Sequence, residues 1–162
     1  MIVQKEVSDN KTSILSTTHI EAHLLFKLTV DIEIESIYQN GILVESTAVS
    51  KQNGHVHSKV SLYQKEDTYS LTVDGDRSEL NYQELLGADL FYFEEPKQIK
   101  HAIALASGEY LTIEKDADDR YFFVHDGKKE SHRYEDQVLQ QVEIEHSLYT
   151  ITLKRTANKK TR

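Results

Sequence analysis

The chain has 162 residues, with 27 acidic against 19 basic side chains, a net charge of −8 and no cysteine. That balance argues against a nucleic-acid backbone or an anionic lipid surface as the main partner, since both reward a basic patch. The missing cysteines exclude a disulfide framework, a zinc ribbon and a cysteine nucleophile.

At this length one domain is expected, 1–162, with an ordered core of about 13–154 and a frayed basic tail over 155–162. The opening MIVQKEVSDN lacks the long apolar core of a secretion leader. No apolar run approaches the ~20 residues of a membrane span, so the chain is expected not to cross one by a helix. Residues 2–18 are polar and weakly patterned, and Ser16-Thr17-Thr18 suits a turn, a cap or an edge strand. His19-Ile20-Glu21-Ala22-His23 then leads into the longest patterned stretch.

From Leu24 to Ser50 two strand-forming runs meet at Asn40-Gly41. Phe26, Leu28, Val30, Ile32 and Ile34 alternate with Lys27, Thr29, Asp31, Glu33 and Glu35. Successive side chains on a strand face opposite sides, so this is a sheet with one dry face and one wet face. Asn-Gly tolerates the positive φ of a tight hairpin. A two-residue loop pairs Tyr38 with Leu43 and Ile32 with Val49. A three-residue loop pairs Tyr38 with Ile42 and sets Glu35 against Glu45, a like-charge contact that favours the first register.

Turn signals recur at Asn53-Gly54, Asp74-Gly75 and Asp126-Gly127, with a looser break at Gly108 and a turn at Glu135-Asp136 before a final pair of strands. The interval from Ser78 to Gly87 suits a helical turn, or a strand followed by a loop. Leu90-Phe91-Tyr92-Phe93 reads as a strand that stops before Pro96, which lacks the ladder donor. The spacing predicts an all-β, antiparallel up-and-down meander of about ten to twelve strands. Accumulated twist must curl such a sheet into a curved half-barrel or a closed barrel, with a concave apolar face.

These residues resemble one family. LFKLTVDIEIESIYQNGILVES, the second Asn-Gly hairpin, LFYFEEP, YLTIEK and VLQQVEIEHSLYTITLK carry the resemblance, from about Ser13 to Lys154. Its best markers are Tyr38 with Asn40-Gly41, Leu90 to Pro96, and His146 to Leu153. The family is a bacterial domain of unknown function, number 6134 of its series. The resemblance implies an all-β fold and a periplasmic or secreted location, and it brings no catalytic motif.

The candidate chemistry is sparse. His55 and His57 stand at i, i+2, and His19 and His23 flank Glu21. Each pair would share a face, as metal ligands can, but a catalytic zinc site needs about three protein ligands. His125 and His132 straddle the Asp126 hairpin and are expected at the surface. No serine sits in a nucleophile elbow and no glycine-rich phosphate loop exists. No catalytic residue and no cofactor is therefore assigned.

Three functions fit this pattern. The first is a non-enzymatic module holding a hydrophobic small molecule or lipid on its concave face, through Phe26, Val30, Ile34, Phe91 and Phe93. The second is a structural or protein-interaction domain with a filled core. The third is a metal-dependent enzyme using His19, His23, His55 and His57.

Overall fold

The structure, a computed structural model, describes residues 1–23, 27–126, 128–146 and 149–156, with the backbone alone at His23, His146 and Tyr149. Phe26, Gly127 and the tail from 157 lie outside the described residues.

Seven strands come first: β1 (Ile2–Ser8), β2 (Lys11–His23), β3 (Lys27–Gln39), β4 (Ile42–Gln52), β5 (His55–Lys65), β6 (Thr68–Val73) and β7 (Asp76–Leu80). A 3-10 turn over Ala88–Tyr92 follows. Then come β8 (His101–Ala104), β9 (Glu109–Lys115), β10 (Arg120–His125), β11 (Lys128–Glu135), β12 (Val138–His146) and β13 (Tyr149–Lys154). Each strand bonds to its neighbours in sequence, in one sheet ordered β1 to β7 and another ordered β13 to β8. The protein is thus all-β and built of antiparallel meanders. There are two sheets rather than one, and neither closes into a barrel.

By contacts the chain divides into two compact units. One comprises Met1–Leu90 with Ala102–Tyr110, the other Phe91–His101 with the chain from Leu111 onward.

In the first unit the alternation of β3 is realised from Ile32 onward, while Leu28 to Asp31 are half-buried on both faces. Ile34 lies opposite Ser16 on β2 and Ala48 on β4, which are 3% and 4% exposed. Asp31 lies on the other face, where its carboxylate meets the ring of His19 at 2.6 Å. The inner face is filled by Ile14, Tyr38, Leu43, Ala48, Val60, Leu62, Tyr69 and Leu71, to which Leu85, Ile103 and Leu105 are added from beyond β7. Burying each such side chain is worth roughly 1.5–3 kcal/mol, and this burial is what makes the strand register specific.

The Asn40-Gly41 hairpin has positive φ at both residues, 52° and 83°, as its two-residue loop requires. Tyr38 faces Leu43 as expected near the turn. A bulge between Ile37 and Tyr38 then shifts the ladder, so that Ile32 faces Ser50 and not Val49. The two acids do not meet: Glu35 faces Thr47, and Glu45 faces Ile37.

Residues 2–8, without clear alternation in sequence, form the edge strand β1, joined to β2 by full pairing from Ile2↔Thr17 to Ser8↔Lys11. The interval from Ser78 to Gly87 is strand then loop. Of Leu90-Phe91-Tyr92-Phe93, expected as a strand, the first three instead lie in the 3-10 turn and Phe93 just after it. The Leu90 N–H donates to the Gly87 carbonyl at 3.2 Å, and the Asp89 carboxylate is taken up by the Ser36 and Tyr38 hydroxyls. A side chain held in this way ties the segment to a turn and overrides the extended form that aromatic residues otherwise favour.

In the second unit, β9 to β13 bury Ile113, Tyr121, Phe123, His132 and Val142, with Phe91 packed on Phe123 at 5.6 Å between ring centroids.

Candidate functional site

Polar groups concentrate at the centre of the first unit. Ser36 and Ser46 face each other on β3 and β4, 1% and 2% exposed, at positions where alternation calls for apolar residues. Buried hydroxyls need partners. Ser36 finds its partner in Asp89, whose carboxylate accepts from the Ser36 hydroxyl and, at 2.5 Å, from the Tyr38 hydroxyl. Asp89 is 4% exposed and Tyr38 1%.

Burial pushes the Asp89 carboxyl above the usual carboxylate range, and the Ser36 and Tyr38 donors pull it part of the way back. Burial first, and then the adjacent Asp89 charge, raise the Tyr38 phenol well above its ordinary value. Gly87 completes the cluster. A Cβ there would collide with the Tyr38 hydroxyl, lie 2.6 Å from Asp89 Oδ1 and 3.0 Å from Leu105 Cδ1.

The same segment is fastened at two further points. The Tyr69 hydroxyl donates to the Leu43 carbonyl at 2.7 Å and accepts from the Leu85 N–H at 3.2 Å. Backbone bonds run from Leu43 N–H to the Leu85 carbonyl and from Ile103 N–H to the Leu86 carbonyl, at 3.0 and 2.8 Å. Carboxylate, phenol and serine are parts of acid–base chemistry. Here they are sealed inside and act on one another, so the cluster works as a clasp holding residues 85–90 to the sheet.

The second unit has its own buried polar cluster. His132, expected at the surface, is 2% exposed. Its Nε2 lies 2.6 Å from Glu130 Oε1, and its ring lies against Phe123 at 4.3 Å and Tyr92 at 5.9 Å. Glu130, His132 and Tyr134 occupy alternate positions of β11, so one face carries all three. The Tyr134 hydroxyl donates to the Phe91 carbonyl at 2.5 Å, and burial pushes this phenol strongly upward.

The metal candidates are not gathered into one cluster. His19 is paired with Asp31 across β2 and β3, half in solvent, and His55 and His57 are exposed at the start of β5. The His23 side chain lies outside the described residues. Among the described residues no group of three His, Asp or Glu side chains is placed to hold a metal ion.

The five apolar candidates separate as well. Val30 and Ile34 share the inner face of β3, half-buried, with Ile34 packed on the core. Phe91 is 2% exposed and Phe93 36% exposed, in the other unit. Phe26 lies outside the described residues. The residues missed in sequence are Ser36, Gly87, Asp89 and His132. The usable signal was Ser36, a polar residue on an apolar strand face, which shows that a partner is needed without saying which one.

Among the described residues no helix is long and apolar enough to cross a membrane. Comparison with curated proteins gave no match, and comparison with solved structures gave none either. A family model described as "Domain of unknown function (DUF6134)" matches residues 1–156, and the chain belongs to that family.

Proposed function

We propose that this chain is a non-enzymatic binding module that holds a hydrophobic small molecule or an acyl chain against the inner face of the β1–β7 sheet. One observation carries this reading. From Ile34 back along β3 the inner positions remain apolar, at Ile32, Val30 and Leu28, with Ile20 opposite Val30 on β2, yet all four are only half-buried. The same face is closed over Ile14, Tyr38 and Leu43, each 2% exposed or less. Full burial of such a side chain is worth roughly 1.5–3 kcal/mol, so covering what remains of four yields about 3–6 kcal/mol before association costs.

The test uses the delipidated chain and a fluorescent fatty acid. Binding is expected, with Val30→Asp or Ile32→Asp abolishing it and Val7→Asp, on the exposed edge strand, leaving it unchanged. No binding by the delipidated chain, or full binding by Val30→Asp, refutes the reading.

A second reading, a protein-interaction domain with a filled core, is favoured by the packing of Phe91, 2% exposed, which leaves it little surface for a ligand. On that reading Val30→Asp disrupts a complex with another polypeptide and the fatty-acid signal is absent throughout.

A further inference from the structure

The second unit contains a hollow of about 400 Å³ beside the segment Pro96–Lys100. Its floor is apolar: Ile113 is 7% exposed, Pro96 is fully buried, and Ile99 is half-buried. Three lysines, Lys97, Lys100 and Lys115, border it. Two of them are engaged, Lys97 with Glu95 at 3.4 Å and Lys115 with Asp119 at 2.7 Å. Glu114 borders it too, but follows the inward Ile113 on β9, so its side chain is directed to the opposite strand face. The Tyr121 hydroxyl, also at the hollow, is held by Glu95 at 2.8 Å. Lys100 remains, exposed and without an ion-pair partner among the described residues.

We propose that this hollow binds a small organic acid with an apolar body, the carboxylate meeting Lys100 and the body lying on Ile99 and the exposed edge of Ile113. Small-molecule sites combine apolar lining with a few charged groups that fix orientation, and this hollow has both. An apolar floor disfavours a fully hydrated phosphate, and one unengaged ammonium matches a single negative charge.

The experiment is an amide chemical-shift titration of the full chain with benzoate, and in parallel with benzyl alcohol as the uncharged analogue. Benzoate is expected to shift the amides of Gln98, Ile99, Lys100 and Ile113, and benzyl alcohol to bind about tenfold more weakly, as loss of one charge-assisted hydrogen bond implies. Lys100→Ala, at an exposed position, weakens benzoate by a similar factor, and Lys11→Ala, in the other unit, does not. The proposal is overturned if those amides stay unmoved in tens of millimolar benzoate, if benzyl alcohol binds as well as benzoate, or if Lys100→Ala leaves the affinity unchanged.

Discussion

Substituting Gly87 by alanine tests whether the Ser36–Tyr38–Asp89 clasp is as tight as its geometry. The backbone at Gly87 lies outside the left-handed region, so alanine carries no conformational penalty there and, by restricting the unfolded chain, would by itself stabilise by about 0.4–1 kcal/mol. The added methyl, however, meets the Tyr38 hydroxyl and Asp89 Oδ1, two atoms locked to each other, and Leu105 Cδ1 behind them. Overpacking costs about 1–3 kcal/mol, and pushing the hydroxyl away leaves a buried carboxylate short of a donor for about 1–3 more. The expected net loss for Gly87→Ala is about 2–4 kcal/mol, or roughly 2–4 °C of Tm per kcal/mol at this chain length. Tyr38→Phe alone should lose about 1–3 kcal/mol, since it withdraws one donor from Asp89. In the double variant the hydroxyl that met the methyl is gone, so its cost should fall below the sum of the singles by about 1 kcal/mol or more. Urea unfolding followed by circular dichroism measures all three. Strict additivity, or a Gly87→Ala chain as stable as the parent, would show that the methyl and the hydroxyl never met.

The remaining predictions concern single groups. The Asp89 carboxyl is raised in the folded chain, so its contribution is full below the unfolded value of about 4 and is lost as pH rises through the folded value. Stability of the parent relative to Asp89→Asn should therefore fall as pH is raised from about 4 towards neutrality, and a flat difference in urea midpoints refutes it. Tyr69→Phe leaves the Leu43 carbonyl and the Leu85 N–H without their shared partner. The expected cost is about 1–3 kcal/mol, with faster hydrogen exchange at the Leu85 amide than in the parent. His132→Ala should cost about 2–4 kcal/mol, as a large-to-small change in a core does, whereas a surface imidazole would cost under about 0.5; the shift in urea midpoint decides.

What the sequence made legible was set locally. The Asn40-Gly41 and Asp74-Gly75 turns demand positive φ of their own residues, and the pattern from Ile32 to Tyr38 matches which face of β3 is buried. The shift at Ile37/Tyr38 depends on how β4 leaves the turn, and no residue of β3 encodes it. β1 escaped notice because it is an edge strand with Lys5 and Glu6 at its middle, where pairing on one side places little demand on pattern. Phe91 and Phe93 suggest a strand by type, but Asp89 is held by Ser36 and Tyr38 and the segment turns there. His132 straddles the Asp126 hairpin with His125 and so reads as surface, although Tyr134 two places on shares its face and is half-buried. For the segment 85–90 the missing information was the partner, since Ser36 and Asp89 are 53 residues apart.

The paired serines at the centre of the β1–β7 sheet show why a partner of this kind was needed. Valine at 36 and 46 would continue the alternation and bury more apolar area, and β3 and β4 would still pair. Branched side chains at both places would also fill the space that the Asp89 carboxylate now occupies between Ser36 and Tyr38. Serine is small enough to admit that carboxylate and supplies one of its donors. A desolvated carboxylate is costly unless its donors are in place, and only one placement of the segment 85–90 puts Ser36 and Tyr38 together around it. An apolar segment over an apolar face could slide with small loss, because hydrophobic contact has no direction. The clasp therefore contributes position more than stability: it fixes where Leu85, Leu86 and Gly87 bond to Leu43 and Ile103. It also divides the inner face into a closed end, from Ile14 to Leu43, and the half-open apolar end at Ile20, Val30 and Ile32. If the segment lay one or two residues farther towards Val30, no strip would remain for a ligand or a partner to cover, so the proposed contact depends on where Asp89 is held.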